Sequence, residues 1–348
     1  VIKIKKFNKI KILHIASFNE SSDGNLFYST ANKINNGFVR IGHFVQTLDD
    51  KNFVKKNLDI GAFKLNKKIL NICENLMPDL IVIGHSDKIF PDTLKKIIKM
   101  YPSIKIIRWY IDSISPEFII KNKKILLNNI DFIDHVFVTS DPKKIFFNFG
   151  KKIHFIPNPV DSSIEVNKNF STKKLPYDIF FALSHGQHRR GLKAGKIDER
   201  DYFVENLHKK LPFLRKYFIS SNFHYPKWGM DFYYYVKNSR MGLNISRGMS
   251  QQLYSSDRIA TLVGNGLLTF IDKKTNYMKF FTNKELVFFS GINDLIKKIN
   301  FFKNNEDLAI KYAENAYKKY HKFLNSEQVC RFMLSKTGHS KKTKFLWT

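Results

Sequence analysis

The sequence predicts an α/β protein made of two doubly wound domains, each built on a parallel sheet. Short apolar strands alternate with amphipathic helical patterns along the chain, as crossover connections require. A segment with two prolines, IPNPVDSS, interrupts this alternation near the middle. The length of 348 residues also suits two domains of about 150 residues each. We expect the two domains to face a cleft, with ligands outside the carboxyl ends of the strands.

The first half of the chain carries six strand candidates separated by helical patterns. The strands are predicted at residues 10–16, 44–48, 80–83, 104–109, 135–138 and 153–156, and the helices at 26–41, 61–76, 92–101, 117–129 and 142–149. We therefore place the first domain at residues 1–157 and a linker at 158–176, where the proline segment runs into a polar stretch. Asp92 precedes an apolar Leu-x-x-Ile-Ile pattern and is the expected helix N-cap.

The second half repeats the alternation of strand and helix. Strands are predicted at residues 177–183, 217–219, 241–245, 267–271 and 286–289, with helices at 198–211, 230–238 and 256–263. A long final helix carries Ala309, Ala313, Ala316 and Tyr320 on one stripe. We place the second domain at residues 177–325 and treat 326–348 as a separate C-terminal segment.

The chain is strongly basic, with 59 Lys and Arg against 30 Asp and Glu and a net charge of +29. An excess of this size attracts polyanions, and three interpretations stay open: solvated helix faces, contact with an anionic membrane surface, and nucleic-acid binding. No apolar run reaches the roughly 18 to 20 residues that cross a bilayer. Cys73 and Cys330 are isolated, which suits a reducing compartment. We expect a cytoplasmic protein, peripheral on the inner face of the membrane.

Several chemistries lack their motifs in this sequence. It contains no GxxxxGK[ST], no GxGxxG after a strand, no HExxH and no paired CxxC, which disfavours P-loop ATPases, dinucleotide oxidoreductases and zinc enzymes. It also contains no Asp-x-Asp. We therefore expect no metal site and no cofactor.

The most informative stretch runs from Tyr254 to Leu334. It begins with SSDRIATLVGNGLLTFID, in which a helix stops at Gly264-Asn265-Gly266 before an apolar strand, and continues with FFTNKELVFFSGINDLIKKINFF. A helix N-terminus and a glycine-rich turn beside a parallel strand suit an anion. This ordered series resembles the donor-binding domain of GT-B glycosyltransferases of the family-1-like group.

The resemblance implies two Rossmann-like domains in the GT-B arrangement, with a nucleotide-diphosphate sugar as co-substrate in the second domain. It also implies that the last segment, 326–348, crosses back onto the first domain. Enzymes of this fold often hold the donor diphosphate with Arg or Lys from the loop after the first strand of that domain. The residues expected around the donor are Ser184, Arg189, Arg190, Arg200, Arg247, Ser256, Asp257, Arg258 and Gly266.

The sequence departs from the family pattern at one position and leaves simpler roles open at others. Thr261 stands where the family commonly has a Glu that grips the ribose, and Asp257 is our substitute for that contact. Asp257 could equally be an ordinary helix N-cap, and Arg258 could form a structural ion pair. The basic loop that carries Arg189 and Arg190 could be merely solvated.

Three positions in the first domain follow predicted strands and are expected to face the cleft. The loop SFNESSDGN includes Asp23 and Gly24, which suit the acceptor side. His85 and Asp112 are the candidate catalytic groups, because glycosyl transfer to a hydroxyl needs a base or a carboxylate near the anomeric carbon. The alternatives are a polar residue at a strand end for His85 and a turn cap for Asp112.

Taken together, these observations predict a metal-independent glycosyltransferase of the hexosyltransferase type. The predicted partners are a nucleotide sugar and a glycan or lipid-linked acceptor of the lipopolysaccharide, O-antigen or capsule type, with contact to an anionic membrane. The alternative is a nucleic-acid-binding protein, or a glycosyltransferase of the same fold that acts on DNA bases.

Overall fold

The computed structural model describes residues 9–54, 58–114, 119–144, 152–183, 199–220, 223–246, 251–341 and 343–348. The chain divides into two compact units, the first formed by Val1–Pro159 with Leu324–Thr348 and the second by Val160–Phe323. Each unit contains one sheet whose strand pairs are all parallel. The predicted fold class, an α/β protein with two doubly wound parallel sheets, is confirmed.

The sheet of the first unit has the strand order β2-β1-β3-β4-β5-β6. Its strands are β1 (Lys11–Ala16), β2 (Phe44–Asp49), β3 (Leu80–Ile83), β4 (Lys105–Tyr110), β5 (His135–Val138) and β6 (Ile153–Phe155). The described helices are α1 (Thr30–Arg40), α2 (Lys51–Val54), α3 (Leu58–Leu76), α4 (Pro91–Met100), α5 (Ile119–Leu127) and, from the end of the chain, α11 (Ser326–Thr337). The order reverses between β1 and β3, and such a reversal opens a crevice at the carboxyl ends of the two strands.

The sheet of the second unit has the order β11-β10-β9-β7-β8. Its strands are β7 (Tyr177–Ala182), β8 (Lys216–Ile219), β9 (Ser239–Asn244), β10 (Leu268–Asp272) and β11 (Val287–Phe289). The described helices are α6 (Glu199–Lys210), α7 (Gly229–Lys237), α8 (Arg258–Gly264), α9 (Gly291–Asn304) and α10 (Glu306–Phe323). Here the order reverses between β7 and β9.

Both faces of each sheet are covered, which explains the nearly continuous apolar runs of the strands. All four residues of β3, Leu-Ile-Val-Ile, are buried. Along β7, successive side chains point to opposite faces of the sheet. Ile179 and Phe181 therefore join one apolar cluster, while Phe180 and Ala182 join another.

The C-terminal helix α11 packs on α1 within the first unit. The two backbones approach closely at Gly37, where a Cβ atom would lie 2.5 Å from the carbonyl oxygen of Ser326 and 2.7 Å from Cys330 Sγ. The Cys330 thiol donates a hydrogen bond to the Ile34 carbonyl at 3.2 Å. Only glycine fits at position 37 without a shift of the backbone, so this glycine is required by packing rather than by a turn.

The start of α4 differs from the sequence prediction. Phe90 occupies the N-cap, Pro91 begins the helix, and Asp92 lies in the first turn instead of capping it. Proline is favoured at this position because its missing N–H would have no partner inside the helix, and an acid in the first turn is stabilised by the helix dipole. None of the described helices is long and apolar enough to cross a membrane.

His14 is the buried polar centre of the first sheet. It lies on β1, is fully buried, and its Nε2 accepts a hydrogen bond from the Trp109 indole N–H at 3.1 Å. Burial disfavours the charged imidazolium and lowers the pKa of His14 to about 3. The folded state therefore holds this side chain neutral.

We predict that acid destabilises the protein partly through His14. The folded-state pKa of about 3 lies below the unfolded value of about 6.5. Stability is therefore fully present above about pH 6.5 and is lost as the pH falls toward 3, with a loss of about 2 kcal/mol by pH 5. Urea unfolding at about pH 7.5 and about pH 5 should show that a His14→Gln variant, which keeps an acceptor for Trp109, loses less stability than the wild type. An equal loss in both proteins would contradict the prediction.

Candidate functional site

A pocket of about 310 Å³ opens at the carboxyl ends of β9, β10 and β11, beside the first turn of α6. Cavities of a few hundred Å³ are large enough for a small-molecule ligand. Its lining residues are Glu199, Arg200, Phe203, Asn244, Ile245, Ser246, Asp272, Thr275 and Phe289. The pocket therefore offers one guanidinium, two carboxylates and several neutral polar groups against apolar walls.

Among the described residues that line this pocket, Arg200 is the cation. It is the second residue of α6 and lines the cavity although only 5% of its surface is exposed. A buried guanidinium at the opening of a helix suits a phosphate or another anion.

Arg258 binds the main chain at the point where the strand order reverses. The pairing of β7 with β9 ends at Phe180 and Gly242. Beyond that point, Arg258 Nε donates to the carbonyl of Ala182 at 2.8 Å, and Nη1 donates to the carbonyl of Ile245 at 2.9 Å. Its guanidinium also lies 5.0 Å from the centre of the Phe181 ring. Arg258 thus holds together the ends of the two strands that flank the crevice.

A small hydrogen-bond network extends this anchor to the end of β9. The buried Asn244 donates to Ser255 Oγ at 2.9 Å, and its Oδ1 accepts from the Ser256 hydroxyl at 3.3 Å. Ser256 Oγ in turn accepts from Arg258 Nη1 at 3.1 Å. The sequence predicted that Ser256 and Arg258 face a phosphate. In the structure their polar groups instead form hydrogen bonds within the protein, and both residues hold the end of β9 next to the pocket.

Gly266 lies away from the pocket. It follows the C-cap of α8 and precedes β10, so it belongs to the amino end of that strand, whereas the pocket lies at the carboxyl ends. A Cβ atom at Gly266 would lie 2.7 Å from the Phe170 ring, and the backbone has the left-handed φ of +77° that glycine favours. The structure does not bring Gly266 to the other donor candidates, because the glycine-rich turn terminates a helix.

The remaining donor candidates divide into two groups. Asp257 is exposed at the N-cap position of α8, has helical backbone angles and makes no capping hydrogen bond through its side chain. Thr261 is buried inside α8. Ser184, Arg189, Arg190 and Arg247 lie outside the described residues.

In the first unit, His85 and Asp112 come together at the carboxyl ends of β3 and β4. His85 Nδ1 lies 3.7 Å from Asp112 Oδ2, and His85 Nε2 accepts a hydrogen bond from the Ile111 amide at 3.1 Å. The imidazole also stacks on the Tyr110 ring, with a distance of 4.4 Å between the ring centres. The structure therefore brings together the two residues that the sequence singled out separately.

These contacts give His85 and Asp112 different chemical capacities. Burial lowers the pKa of His85, although the Asp112 carboxylate opposes that shift. Nε2 is occupied by a backbone N–H, so the proton of the neutral ring lies on Nδ1, facing Asp112. The Asp112 side chain is 60% exposed. Asp112 is thus the group free to reach a substrate hydroxyl, with His85 holding it from behind.

The loop after β1 carries the two acceptor-side candidates. Asp23 and Gly24 have left-handed backbone angles, with φ of 49° and 79°, and both are exposed. The loop is fastened to the neighbouring strand, because Asp49 Oδ2 accepts from the Glu20 amide at 2.9 Å. It therefore lies on the same edge of the sheet as His85 and Asp112.

Sequence reasoning missed Asp50, a buried acid at this edge. Burial raises the pKa of the Asp50 carboxyl, while the Ser86 hydroxyl and Lys51 favour its charged form. Acids with such shifts are common at functional sites. The signal in the sequence was its position directly after a strand, the same signal that singled out His85.

Sequence reasoning also missed most of the pocket in the second unit. Asn244, Ser246 and Asp272 each lie at or just beyond the end of a strand. Because parallel strands bring their carboxyl ends to one edge, these residues could have been grouped from the order of the strands.

Comparison with known proteins connects this pocket to an enzyme class. Residues 200–335 match the sequence model of a family described as glycosyl transferase-like. The match begins at Arg200 and includes Asn244, Ser246, Asp272 and the whole of α8. It confirms the predicted resemblance to family-1-like GT-B enzymes and, with it, the predicted enzyme class, a glycosyltransferase. No curated protein matches the chain.

Solved structures establish the fold. The chain is similar to Anabaena Alr3699/HepE in complex with UDP and glucose, with 15% identity, a TM-score of 0.57, and coverage of 94% of this chain and 99% of that one. It is similar to AviGT4, a glycosyltransferase involved in Avilamycin A biosynthesis, with 11% identity, a TM-score of 0.55, and coverage of 94% and 97%. A UDP-N-acetylglucosamine 2-epimerase has 10% identity, a TM-score of 0.53, and coverage of 98% and 100%. The predicted GT-B fold is confirmed.

We predict that Arg258 stabilises the fold through its two hydrogen bonds to strand-end carbonyls rather than through its charge alone. Arg258→Lys keeps the positive charge but cannot hold both strand-end carbonyls, so the free energy of unfolding should fall by about 1 to 3 kcal/mol. Urea unfolding measures this loss. Arg331→Lys, at an exposed arginine on α11, is the matched control and should change little. Equal stability of Arg258→Lys and the wild type would show that the two carbonyls do not need the guanidinium.

Proposed function

We propose that the protein transfers a hexose from a nucleotide-diphosphate sugar, of the UDP type, to a hydroxyl of a glycan or lipid-linked acceptor, without a metal or another cofactor. The observation that carries this proposal is the buried Arg200 in a pocket at the carboxyl ends of three parallel strands. This pocket lies within the segment that matches the glycosyl transferase-like family.

The pocket in the second unit supplies the donor site. Arg200 neutralises charge on the diphosphate, which grows as the bond to the sugar breaks, and preorganised positive charge is an effective catalyst of that step. Ser246 offers a neutral group to the phosphate oxygens or the sugar, and Asn244 fixes the adjoining end of β9. Asp272 replaces Asp257 as our candidate for a hydroxyl of the ribose or the sugar, because Asp272 lines the pocket. Arg258 and Ser256 hold the end of β9, which lines the pocket.

The choice of a uridine nucleotide rests on similarity. Alr3699/HepE, the relative described above, was solved with UDP and glucose, and also with UDP-glucose. Because the identity is 15%, this likeness establishes the fold and not the nucleotide. Uridine is the first base to test, since it is the one present in that structure.

Asp112 is the proposed general base in the first unit. Its carboxylate accepts the proton of the acceptor hydroxyl as the acceptor oxygen bonds to the anomeric carbon. The bond from that carbon to the donor diphosphate breaks, and the electron pair leaves with the diphosphate. The His85 ring, with Nδ1 3.7 Å from Asp112 Oδ2, positions the carboxylate from behind. The sugar product then has inverted configuration.

The charge of the chain supports our proposal for the acceptor and the location. A net charge of +29 favours an anionic surface, so we assign the enzyme to a lipopolysaccharide, O-antigen or capsule type of acceptor on the cytoplasmic face of a membrane. The Asp23–Gly24 turn and Asp112 share the edge that would receive the acceptor.

A panel of UDP-, GDP-, ADP- and CMP-sugars tests the donor assignment by thermal shift, with and without EDTA. We predict that UDP-sugars stabilise the protein by about 2.7 kcal/mol at 100 times the dissociation constant, and that EDTA does not alter this shift. Arg200→Ala should weaken donor binding at least about tenfold, because a charge-assisted contact contributes about 1.5 to 3 kcal/mol. Lys209→Ala, at an exposed position of the same helix, is the control. No shift with any sugar nucleotide, alongside a shift with duplex DNA, would favour the nucleic-acid alternative.

Asp112→Asn separates catalysis from donor binding. A lost general base should lower turnover by about 100-fold or more, whereas affinity for the donor should stay unchanged. Turnover is measured as UDP release from the donor that the panel identifies, with and without a glycan acceptor. Asp87→Asn, a partly exposed acid in the loop that follows β3, is the matched control. A similar loss in both variants would remove Asp112 from the catalytic role.

A further inference from the structure

We propose that the first unit binds an anionic membrane surface through the outward faces of α3 and α4, termed here the α3–α4 surface. Its apolar part consists of Ile60 and Phe63 on α3 and Phe90 at the N-cap of α4. Its charged part consists of lysines on the same two helices. This inference deepens the membrane contact in the proposed function by naming the surface that makes it.

The apolar side chains of this surface are unusually exposed. Ile60, Phe63 and Phe90 are 55%, 65% and 40% exposed. The opposite side of α3 buries Leu65 and Ile69 in the core of the unit. A surface helix normally presents polar residues on its outward side, so two large apolar residues one turn apart there need a separate reason.

Asn66 fixes Phe90 beside α3. The Asn66 side chain is buried, its Oδ1 accepts from the Phe90 amide at 2.8 Å, and its Nδ2 donates to the Lys88 carbonyl at 2.8 Å. Phe63 lies one turn before Asn66 on α3, and residues three apart are neighbours on a helix surface. Asn66 therefore ties the backbone at Phe90 to α3 within one turn of Phe63, and we infer that the apolar residues lie on one patch.

Lysines surround this patch. The exposed lysines of the two helices are Lys64, Lys67, Lys68, Lys95, Lys96 and Lys99. Both helices pack against the same core cluster, through Leu65 and Ile69 on α3 and through Leu94 and Ile97 on α4, so their outward faces point to the same side. The acids on these helices are Asp59 and Asp92 in the first turns and Glu74 near the end of α3. The surface is therefore basic overall.

This combination favours a lipid bilayer over other polyanions. Apolar side chains flanked by lysines are typical of helices that lie in a membrane interface, where the apolar tips enter the acyl boundary and the lysines meet anionic headgroups. Duplex nucleic acid, whose bases are stacked inside the helix, would use the lysines but leave Phe63 and Phe90 in water. Another exposed group in the second unit, Tyr225, Trp228, Met230 and Tyr234, has Lys227 and Lys237 nearby but also Asp231, and so lacks the same excess of charge.

The position of the surface suits an acceptor carried by lipid. The loop that connects β3 to α4 contains His85 at its start and Phe90 at its end. A bilayer that contacts Phe90 would therefore lie close to the edge of the sheet where His85 and Asp112 meet.

Cosedimentation of the full chain with phosphatidylcholine vesicles, with and without phosphatidylglycerol, tests the proposal. We expect binding to the anionic vesicles that weakens as salt is added. Phe63→Ser with Phe90→Ser should reduce binding at least about tenfold. Serine is a favourable N-cap, so the change at position 90 preserves the start of α4. Lys64→Glu with Lys67→Glu should reduce binding to the anionic vesicles by a similar factor.

The control is Phe213→Ser, which removes a phenylalanine that is 95% exposed in the second unit and should leave binding unchanged. The proposal is overturned if the wild type does not bind anionic vesicles, if it binds neutral vesicles equally well, or if the two double variants bind like the wild type. Preference for duplex DNA over vesicles, reduced only by the lysine changes, would assign the surface to nucleic acid. Donor binding by thermal shift is independent of this result, so failure of the membrane contact and failure of the transferase assignment are distinguishable.

Discussion

The guanidinium of Arg258 bridges the gap that opens where the order of the strands reverses in the second unit. Beyond Phe180 and Gly242 the two strands diverge, and the carbonyls of Ala182 and Ile245 lose a neighbouring strand that could supply donors. Arg258 donates to both, and the network through Ser256 and Asn244 continues from it. The pocket beside Arg200 depends on this anchor, because Ile245 contacts Arg258 and also lines the cavity.

Both sheets contain a reversal of strand order, and different residues lie at the crevice in each unit. In the first unit the crevice between β1 and β3 is bounded by Gly84, where a Cβ atom would lie 2.7 Å from that of Ala16 and 2.6 Å from the Trp109 ring. There the edge carries acids, among them Asp49, Asp50 and Asp112. In the second unit the corresponding edge carries Arg200 together with the carboxylates of Glu199 and Asp272.

Alternating apolar runs were sufficient to predict both sheets, because fully covered parallel strands contain few polar residues. The sheet edge that carries the candidate residues was also predictable, and His85 and Asp112 were singled out as candidates because each follows a strand. The sequence pattern around a residue could not predict whether its side chain faces the pocket or other atoms of the protein. Ser256 and Arg258 are polar residues after a strand, yet their groups face protein atoms; Gly266 looks like part of an anion site, yet it ends a helix. These distinctions depend on contacts between residues far apart in sequence, as between Arg258 and Ala182.

The close approach at Gly37 has a consequence for biosynthesis. The helix that fits against α1 is translated after the whole second unit, so the first unit contains segments from both ends of the chain. A ribosome-bound chain that has just completed β6 can pair its strands but leaves one side of α1 without its partner. That exposed apolar side is a site where a chaperone would bind until residues 326–337 emerge and close it.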